Sequence, residues 1–166
     1  KRIKRYADLE KQLIVKCFKQ LVEDKNLVLS INLSSRDMID GDVSSLVLNL
    51  LNKHNVAGRV VFEIVEDEEL KNLERVSNFI ERVKSMGAKI AIDDFGSGYS
   101  NFSYIIKIKP DYVKIDGSII KDIDINKDSH SIASAIVAFA KDLGIKTIAE
   151  YVHSKEIFEI CKEIGV

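Results

Sequence analysis

The feature that most constrains the fold is a regular alternation of short apolar runs with stretches of helical periodicity. The runs predict five strands at Leu27–Leu33, Val60–Val65, Ile90–Asp93, Tyr112–Asp116 and Lys146–Glu150. The first run is almost continuously apolar, which predicts a parallel strand that is buried on both faces. Alternating strand–helix units predict an α/β chain with a parallel sheet, and the residues alone leave open whether that sheet is doubly wound or closed into a barrel.

Helices are predicted between the strands from the spacing of apolar residues. They are expected from Asp8 (as N-cap) to Leu21, then over about Ser44–His54, Leu70–Val83, Phe102–Lys107, Ile132–Leu143 and Lys155–Ile164. Ser154 is the expected N-cap of the last helix, and Gly165 its end. The polar segment Lys121–Ser131 is interpreted as a surface loop, and residues 1–166 as one domain.

Charge and hydropathy exclude several classes of function. The chain has 25 Lys and Arg against 26 Asp and Glu, a net charge of -1, so it lacks the basic balance of proteins that bind nucleic acid polymers or anionic membranes. No apolar run is long enough to span a membrane, and no secretion signal is visible. Cys17 and Cys161 form no metal-binding spacing, so we expect buried thiols and a cytoplasmic protein.

Polar residues follow each predicted strand at its carboxyl end, where parallel α/β folds place their catalytic groups. They are Asn32, Glu63 with Glu66, Asp93 with Asp94, Lys114 with Asp116, and Glu150. Carboxylate and amide oxygens suit magnesium or manganese rather than zinc. Carboxylates that converge would repel one another unless a divalent ion or Lys114 neutralised them. The pattern therefore predicts a metal site.

Each of these positions also has a purely structural interpretation. A single acid at a strand end is most often a helix cap or a solvated loop residue. Lys114 and Asp116 share one face of a strand and could form a simple ion pair, and Gly96-Ser97-Gly98 could be only a flexible turn. Asn32 and Glu63 fit a solvated role least well, because their neighbours are apolar.

The chain resembles the EAL domain family, the cyclic di-GMP phosphodiesterases of bacteria. Five motifs occur in family order: Ile31-Asn32-Leu33-Ser34, Glu63-Ile64-Val65-Glu66, Asp93-Asp94-Phe95-Gly96-Ser97-Gly98-Tyr99-Ser100, Lys114-Ile115-Asp116 and Ile148-Ala149-Glu150. The resemblance covers essentially the whole chain and implies a modified (β/α) barrel, of which about five of the eight units are expected here.

The resemblance also implies the activity and the roles of the site residues. The family hydrolyses one phosphodiester of cyclic di-GMP to the linear dinucleotide with two magnesium or manganese ions, an arrangement suited to phosphoryl displacement. Asn32, Glu63 and Asp93 are then expected to bind the first ion, and Asp93, Asp94 and Glu150 the second. Lys114 is expected to orient the attacking water, so Lys114, Glu150 and Glu63 are the catalytic candidates. Glu66 matches the residue that holds the loop after Asp94, and Arg36 and Asp116 are expected substrate contacts.

Further expectations concern partners and departures from the family pattern. The resemblance implies a homodimer formed through the barrel, and a fused sensor or GGDEF domain, with any membrane tether, elsewhere in a longer parent. The first strand, with the family's Glu-Ala-Leu signature, and the last strands are expected outside this chain, so the isolated chain is expected to be weak or inactive. Tyr151 replaces a family glycine and would be strained if that position requires positive φ.

Two other functions stay open at this point. The first is a degenerate EAL domain that binds cyclic di-GMP or a partner protein without catalysis, and the second is a magnesium-dependent barrel of the enolase type.

Overall fold

The structure is a computed structural model that describes residues 2–65, 73–98 and 102–166, with the backbone alone for residues 2–7. Glu66, the predicted start of a helix at Leu70, and Tyr99-Ser100 of the third motif lie outside the described residues. The chain divides into two compact units, residues 1–90 and 91–166, and the division falls within the third strand.

The first unit contains two parallel strands and the helices around them. Its elements are α1 Arg2–Glu23, β1 Leu29–Asn32, α2 Ser35–Ile39, α3 Gly41–Lys53, a 3-10 turn Ala57–Arg59, β2 Val60–Val65 and α4 Leu73–Ser85. Strands β1 and β2 pair in uninterrupted register from Leu29 opposite Val60 to Asn32 opposite Glu63. The predicted strand at Val60–Val65 is confirmed.

Helix α1 is longer than predicted and is anchored at its carboxyl end. Its buried residues Ile14, Phe18 and Leu21 follow helical spacing along one face. The prediction that Asp8 is the N-cap is wrong, because the preceding residues have helical propensity and extend the helix to Arg2. At the other end, the guanidinium of Arg59 donates to three carbonyl oxygens that the helix and its exit leave without helical partners, those of Leu21, Asp24 and Leu27, at 2.6, 2.7 and 2.9 Å.

Two helices between β1 and β2 begin at side-chain caps. Ser34 and Asp37 form a capping box at α2, with each side chain bonded to the other residue's backbone N–H. The carboxylate of Asp40 then accepts from the N–H of Asp42 at 2.8 Å and caps α3. Helix α2 was not predicted, although the Ser-x-x-Asp spacing is a recognised start signal.

The prediction that the first strand is buried on both faces is wrong. In β1, Ile31 is buried, Leu29 is half-buried, and Ser30 and Asn32 are exposed. Burial therefore alternates along β1 as in a strand with one covered face. The apolar run overstated the burial because Val28, which extends it, lies outside the strand and is 60% exposed.

The second unit contains three parallel strands in the order β3, β4, β5. Its elements are β3 Lys89–Phe95, α5 Phe102–Ile108, β4 Tyr112–Ile115, α6 Gly117–Ile120, α7 Lys127–Asp142, β5 Lys146–Ala149 and α8 Lys155–Ile164. Strand β4 pairs with β5 in continuous register from Tyr112 opposite Lys146 to Ile115 opposite Ala149. Strand β4 pairs with β3 along its other edge, with one irregularity in the register.

Helix α7 begins earlier than the periodicity predicts. The side chain of Asn126 accepts from the N–H groups of Asp128 and Ser129 at 2.9 and 3.2 Å, which starts the helix at Lys127. The prediction of a loop over the whole of Lys121–Ser131 is therefore wrong for its second half, because this cap satisfies the first helical donors.

The last helix matches its prediction. Ser154 caps α8 by accepting from Ile157 N–H at 3.2 Å, and the helix ends at Gly165 with φ of 94°. Among the described residues, no helix combines the length and the apolar character that a membrane span needs.

Candidate metal centre

The carboxyl ends of β3, β4 and β5 bring four of the predicted site residues together in the second unit. The ammonium Nζ of Lys114 lies 2.6 Å from Oδ1 of Asp93 and 2.9 Å from Oε1 of Glu150. All three side chains are largely buried, at 15%, 15% and 28% exposed. Glu150 is held in place by its own N–H, which donates to the carbonyl of Ile115 at 3.1 Å. Together with Asp94, which offers a carboxylate oxygen within 4.8 Å of those of Asp93 and Glu150, they form a strand-end cluster of three acids and one lysine.

An irregularity in β3 explains how two consecutive aspartates serve one site. Ile92 lies opposite Val113 and Phe95 lies opposite Ile115, so β3 takes three steps where β4 takes two. Asp93 and Asp94 therefore both occupy the stretch opposite Lys114. In a regular strand their side chains would point to opposite faces. The extra residue and the left-handed backbone of Asp94, with φ of 53°, remove that alternation.

The turn after the two aspartates depends on a glycine. Ser97 N–H donates to the carbonyl of Asp94 at 3.2 Å, which closes the turn. Gly96 has φ of 98°, and a Cβ at this position would overlap the Cδ1 atom of Ile119. A side chain is thus disfavoured at Gly96 both by the backbone angle and by the buried neighbour.

Three acids of this cluster have the geometry of a cation site. Asp93, Asp94 and Glu150 each offer one carboxylate oxygen, and these oxygens lie within 4.8 Å of one another. Burial raises the pKa of Asp94, and the charges of Asp93, Asp116 and Glu150 raise it further, while Lys114 lowers it. A bound cation would relieve the same repulsion. A donor set made of carboxylate oxygens fits a hard ion such as Mg²⁺ or Mn²⁺.

In the first unit, Asn32 and Glu63 are direct neighbours across two strands. They occupy matching positions of β1 and β2, and the carbonyl of Glu63 accepts from Leu33 N–H at 2.8 Å. Glu63 is half-buried, whereas Asn32 is exposed. A solvated role was expected to fit Asn32 poorly because its neighbours in the sequence are apolar, but its side chain is exposed, on the same face of β1 as Ser30.

The remaining predicted residues have simpler surroundings. The carboxylate of Asp116 accepts from Ser118 N–H at 2.7 Å and caps α6. A helix cap is the structural role that the sequence analysis considered for a single acid at a strand end. Arg36 lies exposed on α2. The predicted role of Glu66 concerns a residue outside the described part of the chain.

Tyr151 was singled out in the sequence only as a replacement for glycine. Its φ of 56° confirms that the position requires a left-handed backbone. Asp94 shares this property, and no sequence signal indicated it, because the irregularity in β3 depends on pairing with β4, a separate segment of the chain.

Comparison with known proteins gives a match over the whole chain. Residues 1–166 match the EAL domain family. The cyclic di-GMP phosphodiesterase PdeB of Shewanella oneidensis is 29% identical over 170 residues, covering 99% of this chain and 20% of the relative. The cyclic di-GMP phosphodiesterase PdeF of Escherichia coli is 32% identical over 138 residues, covering 82% of this chain and 18% of the relative. The chain thus spans about a fifth of the length of these relatives.

Solved structures share the fold. The PaMucR phosphodiesterase in complex with c-di-GMP superposes with a TM-score of 0.86 at 24% identity, over 99% of this chain and 69% of that one. BlrP1 of Klebsiella pneumoniae, solved with manganese and cyclic di-GMP, gives a TM-score of 0.82 at 27% identity, over 96% and 42%. The same protein was also solved with calcium and cyclic di-GMP. LapD of Vibrio cholerae, an S helix-GGDEF-EAL chain bound to c-di-GMP, superposes with a TM-score of 0.84 at 24% identity. The match covers 98% of this chain and 40% of the LapD chain.

These similarities confirm the predicted α/β fold class of alternating strands and helices. Of the two architectures left open by the sequence, a doubly wound sheet and a barrel, they favour the barrel type found in EAL domains. The family match sets aside a barrel of the enolase type. Divalent ions and cyclic di-GMP are found together in a solved relative.

Proposed function

Because this chain belongs to the EAL domain family, we propose that it is the metal-binding core of a phosphodiesterase that hydrolyses cyclic di-GMP. The observation that carries the proposal is the cluster in which Asp93, Asp94 and Glu150 converge within 4.8 Å and Lys114 contacts two of them. Homologues with this domain are cyclic di-GMP phosphodiesterases, and cyclic di-GMP is therefore the proposed substrate.

The reaction adds one water across one phosphodiester of the cyclic dinucleotide. The water oxygen bonds to phosphorus, the bond from phosphorus to the ribose oxygen breaks, and a proton ends on that oxygen. The product is a linear dinucleotide with a terminal phosphate. Divalent ions, when bound, lower the pKa of water and neutralise charge on the phosphate. Asp93, Asp94 and Glu150 are the residues of the second unit that would hold such an ion.

Lys114 is proposed to act directly on the reacting groups. Its ammonium is held by two carboxylates at hydrogen-bond distance, and both carboxylates belong to the candidate ion site. A fixed cation in this place orients a water and offsets negative charge as the phosphate is attacked. Such preorganisation requires that Lys114 does not move far during the reaction, and the two short contacts supply that restraint.

The remaining assignments come from the resemblance and belong to the same proposal. Asn32 and Glu63 are proposed ligands of the first of two ions, and their matching positions on β1 and β2 support their acting as a pair. Asp93 is proposed to be shared by both ions. Glu66 is proposed to hold the loop after Asp94, and Arg36 and Asp116 to contact substrate.

The wider setting is also proposed from the family. Magnesium or manganese is the proposed native ion, and the cytoplasm the proposed location. A second copy of the domain is the proposed partner. A sensor or GGDEF domain is proposed in a longer parent, since LapD of Vibrio cholerae combines a GGDEF with an EAL domain.

The decisive experiment combines ion binding with product formation. The chain is titrated with Mn²⁺ by calorimetry and incubated with cyclic di-GMP and Mn²⁺, and the linear dinucleotide is followed by chromatography, with a chelator as control. Asp94→Asn removes one charged ligand and keeps the backbone, because asparagine tolerates a left-handed φ as aspartate does. We expect the affinity for Mn²⁺ to fall by about 10-fold or more, since even the loss of a group that only supports a metal ligand costs about 10- to 100-fold, and any turnover of cyclic di-GMP by the chain to be lost.

A matched variant controls for the change of charge alone. Asp124→Asn makes the same substitution at an exposed acid in the turn before α7, and both readouts should stay at the wild-type level. Equal Mn²⁺ affinity in Asp94→Asn and wild type would contradict the metal assignment. Binding of cyclic di-GMP without product by the proposed longer parent of this chain would favour the receptor alternative.

A further inference from the structure

We propose that Tyr151 stacks against a purine base of the substrate at the rim of the metal centre. The inference rests on the proposed function and adds to it a residue that recognises the nucleotide rather than the ion. It assigns a use to a position at which this chain differs from the family pattern.

The place of Tyr151 in the second unit puts it next to the reacting groups. It directly follows Glu150, one of the three acids of the cluster. On its other side its Cβ packs over Gly117, where an added Cβ would come within 2.9 Å of it. Tyr151 is thus wedged between the end of β5 and the start of α6. Any ligand with a phosphate at the acids would bring its attached nucleoside near this residue.

The aromatic ring is open to solvent and has a defined orientation. Tyr151 is 68% exposed. Its ring meets the His153 imidazole edge to face, with ring centroids 5.3 Å apart and an interplanar angle of 66°. The Nε2 atom of His153 lies 3.0 Å from the carbonyl oxygen of Lys121. A carbonyl only accepts, so Nε2 carries the proton and the imidazole is held in place. The two rings form a supported aromatic surface.

The backbone at Tyr151 is unfavourable for an aromatic residue. Its φ of 56° lies in the left-handed region, which glycine adopts freely and bulky residues rarely adopt. The ring does not compensate for this strain by burial, since it is mostly exposed. Backbone strain of this kind concentrates at binding sites. A strained and exposed aromatic beside a cation site is therefore expected to contact a ligand.

The chemistry of a cyclic dinucleotide matches such a surface. Every nucleobase offers a flat face, and stacking on an aromatic side chain is a general mode of single-stranded nucleotide binding. The acids of the cluster attract a phosphate only through a bound cation, whereas stacking on the ring supplies an attraction that does not depend on charge. The contribution should appear in the affinity for the nucleotide and leave the affinity for the ion unchanged.

The test separates these two affinities in the full 166-residue chain. Calorimetry measures binding of Ca²⁺ alone and of cyclic di-GMP in the presence of Ca²⁺, the pair of ligands seen together in a solved relative. Tyr151→Leu keeps the Cβ and the backbone angle but removes the ring. We expect it to weaken nucleotide binding about 5- to 140-fold, the range for loss of one base-stacking contact. Ca²⁺ binding should stay within about twofold, since no ligand atom is lost.

Three further variants make the result specific. Tyr151→Phe keeps the ring and should bind the nucleotide as wild type does. Phe158→Leu removes another exposed aromatic, 54% exposed on α8, and should change neither affinity. Tyr151→Gly should raise the melting temperature by relieving the backbone while it weakens nucleotide binding as the leucine variant does.

Each outcome bears on one proposal or on both. Wild-type nucleotide affinity in Tyr151→Leu would overturn the stacking inference and leave the proposed function standing. A parallel loss of Ca²⁺ affinity would also overturn it, because it would assign Tyr151 a purely structural role. Absence of cyclic di-GMP binding by the wild-type chain would overturn the proposed function and this inference with it.

Discussion

In the first unit, Asn32 and Glu63 lie side by side because β1 and β2 pair without interruption, whereas in the second unit Asp93 and Asp94 share one site through a break in strand pairing. The first arrangement needs only regular strand geometry, in which residues at matching positions point to the same face. The second needs an extra residue in β3 and a left-handed backbone at Asp94.

The difference indicates where each region is sensitive to substitution. The pair Asn32 and Glu63 depends mainly on its two side chains. A substitution that changes the backbone freedom of a neighbouring loop should therefore affect this pair little. The irregular site depends on the turn through Gly96 and on the lysine that holds its acids together. Substitutions that change the backbone freedom or the charge balance should therefore lower the free energy of unfolding more in the second unit than in the first.

The largest effect is expected from Gly96→Ala. The added Cβ would overlap the buried Ile119 side chain, and alanine is strained at φ of 98°. Strain and overpacking together should lower the free energy of unfolding by about 2–4 kcal/mol, measured by urea denaturation. Gly98→Ala is the control in the same loop, because no described atom lies within 4 Å of its added Cβ. Equal losses in the two variants would show that the turn does not depend on Gly96.

A smaller effect is expected from Lys114→Met without metal. The substitution leaves the carboxylates of Asp93 and Glu150 without this cation in a largely buried place. The free energy of unfolding should fall by about 1–3 kcal/mol, less than for a fully buried pair. Adding Mn²⁺ should recover much of the loss, since a divalent ion neutralises the same acids.

The matched lysine for this test is Lys121 in the same unit. Its ammonium lies 4.0 Å from Asp122, and both side chains are about half exposed. Lys121→Met should change stability by less than about 0.5 kcal/mol, and Mn²⁺ should stabilise it only as much as it stabilises wild type, because its acid cluster is intact. The metal-centre assignment would be contradicted if Mn²⁺ stabilised both variants alike.

The smallest effect is expected for an exposed ion pair of the first unit. The ammonium of Lys11 donates to Asp42 at 2.8 Å, and this hydrogen bond lowers the pKa of Asp42 and raises the pKa of Lys11. Because the folded-state pKa of Asp42 is depressed, the pair stabilises above the ordinary aspartate pKa of about 3.9 and loses its effect as pH falls through the folded value. Because the folded-state pKa of Lys11 is raised, the effect is also lost as pH rises through that value.

The measurement compares melting temperatures of wild type and Lys11→Met across pH. A slight advantage of wild type at pH 7 should vanish below the folded pKa of Asp42. An undiminished difference in strong acid would mean that Lys11 stabilises through its methylene chain rather than through its charge.

Local signals in the sequence predicted much of the fold and failed at identifiable places. The strand Val60–Val65 and the helix from Lys155 to Ile164 were predicted correctly, since periodicity, a serine cap and a terminal glycine lie within the segment itself. The start of α7 was misplaced because polar residues resemble a loop until Asn126 is recognised as a cap. The burial of β1 was overestimated because hydropathy does not report which face of a strand is covered.

The sequence by itself determined the alternation of strands and helices and the placement of acids, an asparagine and a lysine at strand ends, because both follow from residue type and short-range spacing. Only the tertiary structure decided which of these residues meet and how. Three features show this. An irregularity in β3 places Asp93 and Asp94 at one site with Lys114, and the N-terminus of α6 binds the carboxylate of Asp116. Tyr151 packs against Gly117 with a strained backbone. Each depends on the register or packing of segments separated along the chain, and that information is absent from any local window of sequence.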